Sequence, residues 1–186
     1  GNNPNAVLSE DQLLGNVEVG EKTVQMFVNG QVSTEFEDYA IQDGDQILLV
    51  YGDNPVLSLN TNYGPIVVEL FADATPVTVN NFLNYVNDGD YANSFLHRSV
   101  KDFVIQGGGF TPRMGQKRTH APIRNEARAD VKNARGTIAM ARLEAPHTAT
   151  AQFFINYKDN VALDHSSPTR DGYCVFGKVT EGMDVV

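Results

Sequence analysis

Residues 95–109 read Phe95-Leu96-His97-Arg98-Ser99-Val100-Lys101-Asp102-Phe103-Val104-Ile105-Gln106-Gly107-Gly108-Gly109. Two short apolar stretches flank a polar turn, and three glycines close the second. The pattern predicts strands over Phe95–Arg98 and Phe103–Gln106. No Gly-Lys-Ser/Thr follows the glycines, so the run is not a phosphate loop. Downstream, the same reading gives strands over Ile138–Ala141, Gln152–Ile155 and Tyr173–Val179. Upstream, Val56, Leu57 and Leu59 begin a strand, Tyr63-Gly64-Pro65 turns it, and Ile66–Phe71 is its hairpin partner. Many short strands with few helices predict a mostly-β fold, a closed antiparallel barrel.

The clearest helix follows Thr75. Thr75 reads as its N-cap and Pro76 as its first residue, where a missing N–H costs nothing. Val79, Phe82, Leu83 and Val86 form one apolar stripe, and Asp88-Gly89 ends the helix. Residues 1–22, rich in Asn, Glu and Gly, read as a linker with at most a short helix near 9–14. Residues 23–54 read as an acidic β-hairpin extension of β-grasp type. Val24, Met26 and Val28 share one strand face, Asn29-Gly30 is a hairpin turn, and Gln46–Tyr51 is a second strand after Asp43-Gly44-Asp45. About 30 residues bury little core alone, so this segment is expected to pack on the main domain, 55–186.

The 186 residues carry a formal net charge of -9. Residues 1–54 hold ten acids against one base, Lys22, while residues 97–142 hold ten Lys/Arg against three acids. The basic stretch lacks interleaved aromatics, which argues against nucleic acid as a partner. No apolar run approaches the ~20 residues of a membrane helix. No basic segment followed by an apolar one opens the chain, and its first residue is Gly1. A single cysteine, Cys174, excludes an internal disulfide and a cysteine metal cluster. Cytoplasmic and exported locations both fit, the latter with an upstream segment removed.

Metal chemistry finds no support in spacing. His97, His120, His147 and His165 include no i, i+4 pair, and HExxH is absent, so no metal site is expected. No Gly-x-Ser-x-Gly elbow marks a serine hydrolase. What recurs at strand ends is one arginine, two glutamines and several phenylalanines: Arg98, Gln106, Gln152, Phe103, Phe153 and Phe154. That set offers a cation, amide hydrogen-bonding groups and an apolar floor without a nucleophile. It suits holding an apolar ring and stabilising a change in its electron distribution.

These residues carry a resemblance. Leu96-His97-Arg98, Phe103-Val104-Ile105-Gln106-Gly107-Gly108 and Gln152-Phe153-Phe154-Ile155 are similar to the F-H-R, F-x-x-Q-G-G and Q-F-F-I motifs of cyclophilins, the peptidyl-prolyl cis–trans isomerases. Leu96 replaces the Phe of the first. The stretch from Asn133-Ala134-Arg135-Gly136 to Asn156, and Gly172–Gly177, resemble the bacterial branch. The resemblance spans about 56–186. It implies an eight-stranded closed barrel with two capping helices, isomerisation of X–Pro bonds in protein chains in aid of folding, and no cofactor or metal.

Position by position, the resemblance implies that Arg98 is the catalytic residue. Phe103, Phe154 and Leu163 would wall the proline pocket, with Val104 where relatives commonly have Met. Gln106 and Gln152 would position the substrate backbone. Ala141 and Arg142 would bind the residue before proline, and Tyr173 takes a place held by His or Tyr. The amide barrier of ~18–20 kcal/mol comes from C–N double-bond character. Twisting the bond localises a lone pair on the prolyl nitrogen, and a guanidinium donating to it favours the twisted state over either planar one. Proline-containing polypeptides are the implied partners. A proline-peptide binding or chaperone module with little turnover is the alternative.

Two departures bear on that expectation. Ala162 stands where relatives carry Trp or Phe, which would weaken cyclosporin-like ligands more than peptides. The family commonly continues past the stretch matching Gly182–Val186 through a helix and a closing strand. The domain is therefore expected to lack the usual C-terminal strand, leaving a barrel edge on which the 23–52 segment packs.

Overall fold

The computed structural model describes residues 24–28, 31–33, 47–51, 54–166 and 170–186. The 1–22 linker, the Asn29-Gly30 turn and the residues around Asp43-Gly44-Asp45 lie outside them. Ten strands are described: β1 Val24–Val28, β2 Gln31–Ser33, β3 Ile47–Tyr51, β4 Val56–Thr61, β5 Gly64–Leu70, β6 Arg98–Val100, β7 Val104–Gly107, β8 Thr137–Met140, β9 Phe153–Asn156 and β10 Val175–Glu181. One α-helix, α1 (Pro76–Asn87), and a 3-10 turn, Val161–Leu163, complete the regular structure of the described residues.

β1–β3 form an antiparallel sheet of their own in the order β2-β1-β3. Among the described residues no strand pairing joins it to the other sheet, so the expected edge packing is not seen. Instead β3 approaches the backbone of α1. The second sheet is antiparallel throughout, in the order β4-β5-β10-β8-β9-β7-β6. It is a curled half-barrel, not the closed barrel expected. β4 pairs only with β5 and β6 only with β7, and no described strand bridges the gap between them. One α-helix is described where two were implied. One open edge is short: β6 is three residues long, all of them exposed.

Side-chain alternation with period two splits the sheet's apolar residues between its faces. Ile66, Val68 and Leu70 of β5, Ile138 and Met140 of β8, Phe153 and Ile155 of β9, and Phe176 of β10 meet Val79 and Phe82 of α1 in the main core. The intervening residues, Val104, Ala139, Phe154 and Val175, form a second buried cluster. Because both faces are covered, all four residues of β9 are buried. The helix buries Thr78, Val79, Asn80, Asn81, Phe82 and Tyr85, while Val86 of the expected stripe is 37% exposed. The buried face is rotated from the expected one because Asn81 turns inward to donate to the Thr150 carbonyl at 2.7 Å.

The start of α1 is satisfied from a distance. The hydroxyl of Thr75 makes no cap bond and donates back to the Phe71 carbonyl. Glu126 supplies the cap: its carboxylate accepts from the N–H groups of Val77 at 3.3 Å and Thr78 at 2.8 Å, and from the Thr78 hydroxyl at 2.8 Å. A carboxylate there also suits the positive end of the helix dipole.

Candidate active site

The strand register assembles the site as one rung across five strands. Arg98 of β6 faces Gln106 of β7, Gln106 faces Phe154 of β9, Phe154 faces Ala139 of β8, and Ala139 faces Val175 of β10. The motifs of the opening stretch thus meet those of residues 137–156 because antiparallel pairing aligns them.

Hydrogen bonds run along the rung's polar end. Nη1 of Arg98 donates to Oε1 of Gln106 at 3.1 Å, and Nε2 of Gln106 donates to Oε1 of Gln152 at 2.9 Å. The second bond fixes which way the Gln106 amide faces, so its oxygen is turned to the guanidinium. Arg98 is exposed and lies 5.6 Å from the centre of the Phe103 ring, within cation–π range. Among the described residues no carboxylate pairs with Arg98. One neutral amide therefore occupies one of five N–H donors and leaves the charge unneutralised.

The apolar end is the second cluster. Val104 and Phe154 are buried and make its floor, and Phe103, Ala141, Leu163 and Tyr173 pack on it half-buried. Val104 is therefore floor, 2% exposed, and not an open wall. Phe154 and Tyr173 meet edge to face, centroids 5.7 Å apart. Arg142 lies against this surface at Tyr173. Its Nε donates to the Gly172 carbonyl at 3.1 Å, its Nη1 to the carbonyls of Leu143 and Glu144, and its guanidinium lies 4.6 Å from the Tyr173 ring centre. It clamps the loop after β8 onto Tyr173. A separate cavity of about 330 Å³, with Ser99, Lys101, Tyr157 and Val186 among its walls, touches the cluster only through Val104.

Several supporting residues escaped sequence reasoning. Gly109 is one: a Cβ there would lie 2.6 Å from Cγ and Cδ of Gln152, so its absence makes room for that side chain. Gly108 has φ +85°, and a Cβ would sit 2.7 Å from the Ala151 carbonyl. The glycine run that resembles a phosphate loop is thus a seat for Gln152. Buried asparagines are the others. Asn160 donates to the Phe103 carbonyl at 3.0 Å and to Oδ1 of Asn156 at 2.8 Å. The Asn133 side chain donates to the Leu163 carbonyl at 3.1 Å, and its N–H to Oδ1 of Asp164 at 2.7 Å. This network ties Phe103 and Leu163 to one frame. An isolated Asn in a loop gives no sign of such a role, and pairing over 23–57 residues is invisible to periodicity.

Comparison with known proteins agrees with this architecture. The family described as "Cyclophilin type peptidyl-prolyl cis-trans isomerase/CLD" matches residues 56–186. Peptidyl-prolyl cis-trans isomerase B of Escherichia coli is 53% identical over 133 residues, covering 70% of this chain and 81% of the relative. Peptidyl-prolyl cis-trans isomerase cyp18 of Streptomyces antibioticus is 57% identical over 132 residues, 70% and 80% of the two chains. A crystal structure of a Cryptosporidium parvum cyclophilin type peptidyl-prolyl cis-trans isomerase in the presence of the dipeptide Ala-Pro has a TM-score of 0.59 at 29% identity, over 70% of this chain and 81% of that one. A cyclophilin from Hirschia baltica, 19% identical, shares the fold with a TM-score of 0.61, over 71% of this chain and 66% of that one. The chain belongs to the cyclophilin family of peptidyl-prolyl cis–trans isomerases.

Proposed function

We propose that this isomerase turns over X–Pro bonds of protein chains on the rung that runs from Arg98 to Phe154. The observation that carries the reading is the unneutralised Arg98 guanidinium, held by Gln106 and Gln152 at the rim of a half-buried apolar surface. The prolyl ring rests on Phe103, Leu163 and Tyr173, above Val104 and Phe154. The Gln106 and Gln152 amides hold the substrate backbone. The carbonyl before proline swings while the ring stays anchored.

In the planar amide the prolyl nitrogen shares its lone pair with the carbonyl and accepts poorly. In the twisted state the pair is localised, and a guanidinium N–H donates to it. The bond is stronger in the twisted state than in either ground state, and each ~1.4 kcal/mol of that difference is tenfold in rate. No bond to the enzyme forms, in keeping with a site built without a nucleophile. A protease-free exchange measurement on an Ala-Pro peptide tests the reading. Line broadening between the cis and trans signals at catalytic protein concentration is expected. Peptide binding without exchange would make the chain a proline-binding module.

A further inference from the structure

On another part of the domain, the end of α1 meets the long segment between β7 and β8. Asp88 is the C-cap of α1, its N–H donating to the Asn84 carbonyl, and the N–H of Asp90 donates to the Tyr85 carbonyl at 2.9 Å. His120, 30 residues farther on, is pinned to the same tyrosine. Its backbone N–H donates to the Tyr85 hydroxyl at 2.7 Å, and its ring stacks on the Tyr85 ring, centroids 4.4 Å apart and planes 13° from parallel. Tyr85 is fully buried, so one rigid residue anchors the backbone of Asp90 through its carbonyl and His120 through its side chain. Nε2 of His120 lies 3.3 Å from Oδ2 of Asp88, and one ligand atom from each of Asp88, Asp90 and His120 falls within 4.8 Å of the others.

The cluster sets two carboxylates against one imidazole. Two carboxylates sit at the negative end of a helix whose last turn carries no basic residue. Among the described residues no Lys or Arg pairs with Asp88 or Asp90. The His120 and Asp88 side chains are 46% and 55% exposed, open to an ion from solvent.

We propose that Asp88, Asp90 and His120 form a Zn²⁺ site. One imidazole nitrogen and two carboxylate oxygens are ligands this ion accepts, at about 2.0–2.2 Å, with water completing a tetrahedron. Ligand atoms of a tetrahedron of that radius lie about 3.3–3.6 Å apart, the spacing His120 and Asp88 already have at 3.3 Å, so closing the site needs a rotamer change that brings the half-buried Asp90 carboxylate inward. The ion would balance the two carboxylates and join the loop carrying His120 to the end of α1. None of the three residues belongs to the rung, so the role is structural and separate from proline isomerisation.

The test is equilibrium dialysis of the full chain, freed of metal, against Zn²⁺, with Asp90→Asn and His120→Gln measured beside it. One saturable equivalent is expected, with a rise in thermal midpoint on binding. Loss of an outer partner at known zinc sites costs about 10–100-fold in affinity, so loss of a direct ligand is expected to cost at least that. Circular dichroism establishes that each variant is folded. Asp90→Asn leaves the Tyr85–His120 stack in place and gives the reading on its own if His120→Gln does not fold. Absence of saturable uptake, or uptake unchanged in the folded variants, would overturn the proposal.

Discussion

Arg98 and Gln106 are cross-strand partners whose side chains are joined at 3.1 Å, and the amide that holds the guanidinium is itself held by Gln152. The three form a relay of orientation: Gln152 sets Gln106, and Gln106 sets Arg98. The Arg98 side chain is exposed, while its supports are half-buried. Positioning therefore comes from below, where solvent competes least.

Gly109→Ala breaks that relay at its base. The added Cβ meets Gln152 at 2.6 Å, so the Gln152 side chain must move and Gln106 loses its acceptor. A misplacement of about 1 Å costs on the order of a hundredfold in rate, so kcat/KM is expected to fall about 10–100-fold with little change in thermal midpoint. Gly108→Ala is different: the backbone there is left-handed and meets the Ala151 carbonyl, so it is expected to destabilise the fold. Kinetics and thermal melts of the two variants check the distinction.

Cys174 gives an alkaline signature. Burial pushes its thiol up to about 12, and the nearby Glu126 charge adds to the shift. The unfolded chain releases that proton near the ordinary thiol value and the folded chain does not. Stability from this group is therefore complete below about pH 8.5 and declines as pH rises toward 12, by about 1.4 kcal/mol per unit. Denaturant titrations from pH 7 to 10, below the range where the buried Tyr85 and Tyr91 phenols contribute, are expected to show that decline, and Cys174→Ala to flatten it. Rapid labelling of the native thiol at pH 8 would count against this assignment.

Ala162 is exposed in the 3-10 turn beside Leu163, which packs on the apolar surface. Ala162→Trp adds a ring with a hydrogen-bond donor at that rim, the kind of anchor that concentrates binding energy. Affinity for cyclosporin-like ligands is expected to rise at least about tenfold, equal to ~1.4 kcal/mol. Calorimetric titration of a folded variant with unchanged affinity would argue against the place assigned to residue 162.

Much of this was legible in the sequence because the motifs lie on strands, where alternation tells which residues share a face. Arg98, Gln106, Gln152 and Phe154 are brought together by the resemblance that their motifs carry. Strand ends were less legible: the strand expected over Phe95–Arg98 is β6, Arg98–Val100. There the pairing partner, β7, decides where the strand runs, and propensity does not. Barrel closure, expected from the many short strands, has no local signature because it depends on which strands find a second partner. The Glu126 cap, the asparagine frame and the meeting of His120 with Asp88 and Asp90 join residues 23–57 apart. No local pattern encodes them, since each depends on where loops are carried by the sheet.

The sheet of β1–β3 is expected to lend stability through its approach to α1. Removing residues 1–52 should lower the thermal midpoint by a few degrees, since about 1 kcal/mol shifts a chain of this size by about 2–4 °C. An unchanged midpoint would make the segment a tether.

Arg98→Ala tests the central claim most directly, through kcat/KM for an X–Pro peptide and the affinity for the same peptide in one folded variant. If the guanidinium acts on the twisted bond, kcat/KM falls about a hundredfold or more, the scale seen when one donor to a transition-state charge is removed, and affinity changes far less. An equal loss of rate and affinity, or a rate that survives the substitution, would contradict the account.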